Sequence, residues 1–162
     1  MEWFKFEKAM RLLVAAFPQE TKKPALFHSV RVGTYLRNNN YSEDIQIAWL
    51  LHDALEDTSL QASQIEELFW SDVLEIVQAN SENPDLEVEF QKEDIVKRCA
   101  AVWENALIVK MADVYDNFKF YVKQNNISEL ERCKNFAQYV QKYKKDEWHD
   151  PIFDTIPEIL NY

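Results

Sequence analysis

Apolar residues recur along this chain at intervals of three and four between short polar clusters, which predicts helices from end to end. Trp3, Phe4, Phe6, Met10, Leu12, Leu13 and Phe17 mix with charges at helical intervals on a first helix, and Pro18 stops it. Pro24 suits the first turn of a second helix, which runs through Val30, Val32, Tyr35 and Leu36 to the Asn38-Asn39-Asn40 tract. Ser42 is the N-cap of a third, with Glu43 and Asp44 favouring the positive end of its dipole. From 45 to 55 polar interruptions are so few that this helix is expected to be central and buried.

Ser63 and Glu66 read as a capping box for the next helix, which carries Ile65, Leu68 and Phe69 and re-enters near Ser71. A loop is expected over 80–87, a helix over 89–103, and another over 105–123 with Ile108, Met111, Tyr115 and Phe118 in one stripe. Ser128 and Glu131 read as a second capping box. The helix they start turns Leu130, Cys133, Ala137, Val140 and Tyr143 inward, and helical structure continues over 128–162. Neither repeats nor a linker interrupt this pattern, so 1–162 is read as one domain, an all-α single compact bundle.

Composition narrows the picture. One glycine in 162 residues leaves too little turn chemistry for a sandwich or barrel of short strands, and 47% hydrophobic residues exclude general disorder. Against 28 acids stand 18 Lys and Arg, a formal charge of −10 that repels the backbone of a nucleic acid polymer. No apolar run approaches the ~20 residues that span a bilayer, so no membrane partner is expected. Cys99 and Cys133 lack metal-ligand spacing and are read as reduced thiols of a cytoplasmic protein.

The chemistry is concentrated in a few positions. In Leu51-His52-Asp53-Ala54-Leu55-Glu56-Asp57-Thr58, a continued helix would put His52, Asp53, Glu56 and Asp57 on one flank. Burying such a set unpaired costs several kcal/mol per group, so either the flank is wet or a cation neutralises it. The apolar neighbours Trp49, Leu50, Leu51 and Leu55 argue for the cation. Lys110, Asp113 and Asn117 form a similar polar flank further on, and His28 stands one turn inside the second helix. Two imidazoles and two carboxylates make a mixed nitrogen and oxygen set for a divalent metal. A second His-Asp pair, His149-Asp150, is set aside, because Pro151 pushes Asp150 out of helical backbone. Trp49, Trp70 and Trp103 are read as core rather than as a stacking platform.

In order and rough spacing, the segments around His28, His52-Asp53 and Asp113 resemble the His, His-Asp and Asp motifs of the HD superfamily of metal-dependent phosphohydrolases, over about residues 20 to 123. The Glu56-Asp57 pair and Asn117 make the chain similar to the ppGpp hydrolase domain of RelA/SpoT proteins and their small stand-alone relatives. The resemblance implies a 3′-pyrophosphohydrolase of ppGpp, or of another small nucleotide or phosphorylated metabolite. A non-catalytic nucleotide-binding or protein-interaction domain is the alternative. It implies one divalent ion on His28, His52, Asp53 and Asp113, manganese first, with iron, zinc, nickel or magnesium in its place. Glu56, Asp57 and Asn117 are then the catalytic residues, and Lys22, Lys23, Lys110 and Tyr121 face the substrate.

Overall fold

The computed structural model describes residues 3–17 and 25–162, and among them every regular element is helical. The all-α expectation holds. Two compact units divide the chain, Met1–Ser81 and Glu82–Tyr162.

In the first unit α1 (Trp3–Ala16), α2 (Ala25–Asn38) and α5 (Ala62–Asn80) surround α3 (Glu43–Leu51). Because neighbours cover it on several sides, α3 needs no polar face, and Ile45, Ile47, Ala48, Trp49, Leu50 and Leu51 are all buried. Its predicted cap forms, with Ser42 Oγ accepting from the Ile45 N–H at 3.4 Å. Gly33 lets α2 approach α3 closely, since a Cβ there would meet Leu50 Cδ2 at 3.0 Å.

The expected helix over 45–55 is broken. α3 ends at Leu51, and a separate single turn, α4 (Ala54–Asp57), follows. In an unbroken helix the Trp49 carbonyl serves residue 53; here it receives the His52 backbone N–H at 3.2 Å and His52 Nδ1 at 2.7 Å. Asp53, at φ −93 and ψ 1, then turns the chain, and the Thr58 hydroxyl closes α4 by donating to the Ala54 carbonyl at 2.6 Å.

The capping box of α5 is built from Gln61 and Gln64, two residues before the expected Ser63 and Glu66. Gln64 reaches back to the Gln61 N–H at 2.9 Å, which places Ser63 inside the first turn. Near the expected re-entry point Trp70 adopts φ 73 and kinks the helix. Its ring is 55% exposed, contrary to the core reading, and carries the Lys5 ammonium on its face.

In the second unit α6 (Val88–Val102), α7 (Glu104–Gln124) and α8 (Ile127–Tyr143) pack on one another, with a 3₁₀ turn (Pro151–Thr155) against α7 and α9 (Ile156–Leu160) against α8. Ile108, Met111 and Phe118 are buried as expected. Asn125 in the left-handed region ends α7, and Asn126 caps α8 by accepting from the Glu129 N–H at 3.3 Å. This cap displaces the expected Ser128–Glu131 box, because Ser128 Oγ donates to Asn126 Oδ1 at 3.0 Å. Trp103 joins α6 to α7 in extended backbone and is 59% exposed, again contrary to the core reading. Asp150 caps the 3₁₀ turn, accepting from the Ile152 N–H at 2.9 Å, a structural use of the set-aside pair.

Candidate metal centre

Three of the sequence-predicted ligands belong to the first unit. His28, on α2, is buried; His52, at the end of α3, is wholly buried; Asp53, the residue that turns the chain, keeps part of its carboxylate exposed. The two imidazole centroids lie 5.9 Å apart at an interplanar angle of 65°.

The hydrogen bonds of His52 decide what this group can do. A carbonyl only accepts, so the contact to Trp49 assigns the proton to Nδ1 and the lone pair of a neutral ring to Nε2. That nitrogen lies 3.1 Å from Asp53 Oδ1. Two lone pairs at this distance repel unless a positive charge lies beside them, either a second ring proton or a cation. A metal ion satisfies both atoms, and a backbone carbonyl behind the far ring nitrogen is the support that metal-bound histidines ordinarily have. The residues present therefore fit a divalent ion.

Glu56 and Asp57 follow on α4, both exposed to solvent. Since α3 stops before them, they are the last two residues of a single four-residue turn and not the end of a long helix.

The second unit holds the fourth predicted ligand, Asp113. On α7, Asn117 Nδ2 donates to Asp113 Oδ1 at 2.5 Å and Lys110 Nζ donates to Asp113 Oδ2 at 3.2 Å. Both bonds favour the ionised carboxylate. Lys110 is buried with its ammonium 5.3 Å from the Phe136 ring centroid, so its charge is committed to this cluster. Lys110, expected beside a phosphate or a ligand carboxylate, and Asn117, expected to hold substrate or nucleophile, both bond to Asp113. Tyr121 sits half-buried one turn beyond Asn117, edge-on to Phe120. Lys22 and Lys23 lie outside the described residues.

Arg132 escaped the sequence reading, because a lone arginine on the polar face of a helix carries no motif. Its side chain is about half exposed and 3.5 Å from Glu129. Partial burial opposes its charge, whereas Asp113, Glu129 and Glu82 favour it, and the balance holds the guanidinium above its ordinary pKa.

Comparison with known proteins gives this geometry a context. The chain is 33% identical over 104 residues to a guanosine-3′,5′-bis(diphosphate) 3′-pyrophosphohydrolase, MESH1, of Drosophila melanogaster, a match covering 63% of this chain and 57% of that protein. It is 31% identical over 137 residues to the Danio rerio MESH1, covering 80% of this chain and 68% of the relative. In fold it is similar to a solved metazoan ortholog of SpoT, described as hydrolysing ppGpp (TM-score 0.77, 22% identity, 97% of this chain and 94% of that one). A Listeria monocytogenes structure also matches (TM-score 0.69, 24% identity, 88% and 97%). Residues 7–138, which include every His and Asp of the predicted ligand set, match the family described as HD domain. With the motifs, the helical fold and that match in agreement, this chain belongs to the HD-domain family.

Proposed function

We propose that the protein is a metal-dependent phosphohydrolase of a small phosphorylated nucleotide, and specifically a ppGpp 3′-pyrophosphohydrolase. The observation that carries the reading is His52, whose Nδ1 is committed to a carbonyl while Nε2 faces a carboxylate oxygen. The names of the two MESH1 relatives supply the substrate.

One divalent ion, manganese in the first instance, is held by His28, His52, Asp53 and Asp113. When bound, it supplies Lewis acidity and lowers the pKa of a water. Glu56 and Asp57, as exposed carboxylates beside Asp53, take the proton from the attacking water and return one to the leaving 3′ oxygen. Water oxygen bonds to the phosphorus as the 3′ P–O bond breaks, leaving GDP and diphosphate. Asn117 and Lys110 orient Asp113 rather than grip substrate. Lys22, Lys23 and Arg132 provide positive charge for the phosphates, and Tyr121 borders the same substrate. Two buried thiols support a reducing, cytoplasmic setting, and among the described residues no helix is long and apolar enough to cross a membrane.

The test is diphosphate release from ppGpp by Mn2+-loaded protein at neutral pH, resolved by anion-exchange chromatography against a panel of other nucleotides. Release from ppGpp at the highest kcat/KM is expected. No release at any metal loading removes the reading.

A further inference from the structure

Trp49 touches both halves of the histidine pair. Its indole Nε1–H donates to the Ser29 carbonyl at 2.9 Å, the residue that follows His28, and its own carbonyl receives His52 Nδ1 at 2.7 Å. Its ring stacks on His52 with centroids 4.3 Å apart at 22°, and meets His28 edge-on at 5.3 Å and 69°. A leucine at this wholly buried position would keep only the backbone carbonyl bond to His52, and a phenylalanine would keep that bond and ring contacts but lose the indole bond to the Ser29 carbonyl. The indole bond ties α2 to α3, and the carbonyl bond chooses the His52 tautomer, so one side chain and its own peptide group reach both imidazoles.

We propose that Trp49 is a positioning residue for the metal centre, setting the separation and orientation of His28 and His52 before any ion binds. It acts through the imidazoles and does not contact substrate. The inference rests on the proposed ion site, and the two can fail separately.

Mn2+ binding, followed by electron paramagnetic resonance of the unbound ion, provides the readout. Trp49→Phe keeps an aromatic ring and the carbonyl behind His52 and removes the indole tie to the Ser29 carbonyl; its dissociation constant is expected to rise by about tenfold, the low end of the effect of losing an outer partner of a metal site. Ile47→Ala, a cavity in the same buried helix away from these contacts, is the packing control and should lower the melting temperature while leaving the dissociation constant near wild type. Equal weakening in both variants, or none in a folded Trp49→Phe, overturns the positioning role. No Mn2+ binding by the wild-type chain overturns the ion site itself. If Trp49→Phe does not fold, the wild-type protein still decides: exchange of the Trp49 indole N–H with solvent, read by proton–nitrogen NMR, should slow on loading with Zn2+, and unchanged exchange overturns the inference.

Discussion

Asn117 Nδ2 donates to Asp113 Oδ1 one helical turn away at 2.5 Å, so the amide grips the carboxylate that the motif pattern nominates as a metal ligand. With Lys110 on the other oxygen, both carboxylate oxygens are held by neighbours on α7. Asn117→Ala should therefore weaken Mn2+ affinity by about tenfold or more and reduce kcat/KM, with little change in substrate KM. Titration calorimetry and steady-state kinetics check this; a large rise in KM alone would return Asn117 to the substrate.

Lys110 is buried against Phe136, and its loss takes the ammonium partner at 3.2 Å away from Asp113. Since the Asp113 carboxylate keeps some access to water, Lys110→Met is expected to cost about 2 kcal/mol of folding stability, below the range for a fully buried pair. Urea unfolding measures it. Saturating Mn2+ should restore part of that loss, because the ion supplies the missing positive charge.

Asp53 faces the lone pair of His52, and removing it should abolish stoichiometric ion binding with the helices intact. Metal analysis of purified Asp53→Ala, with far-ultraviolet circular dichroism as the control for folding, is the measurement. Wild-type metal content in this variant would exclude the site.

Glu93 on α6 accepts from the Tyr143 hydroxyl and from Lys142 at 2.9 Å, and these two bonds lower its pKa from 4.5 to about 2. A depressed carboxylate stabilises the fold only while ionised. Its contribution is complete above pH 4.5, shrinks as the pH falls towards 2, and is absent below. The melting temperature of wild type should thus exceed that of Glu93→Gln at neutral pH, and the gap should close between pH 4.5 and 2. A gap independent of pH would show that charge is not its source.

Burial raises the Cys99 thiol to about 12, and Cys133 is buried beside the α8 core. Neither should react with iodoacetamide at pH 8 in the folded protein, whereas both should in urea. Mass spectrometry of the alkylated chain counts them.

Much of this protein was legible before folding. Helical period, the Ser42 cap and the residue types at 28, 52, 53 and 113 follow from local rules, since amphipathic spacing, capping and donor chemistry depend on neighbours in the chain. That Asp150 stands at the start of a turn and not in mid-helix could likewise be read from Pro151. What local rules could not settle were competitions between partners. Gln61 and Asn126 took caps for which Ser63 and Ser128 were equally qualified, and His52 captured a carbonyl that would otherwise have carried α3 onward. Trp70 and Trp103 stayed exposed because burial depends on which element arrives opposite, a fact absent from periodicity. By the same reasoning, Lys110 and Asn117 were visible as a polar flank, but only folded geometry could assign them to Asp113 and join Trp49 to both imidazoles, because a hydrogen bond is decided by distance and direction in space.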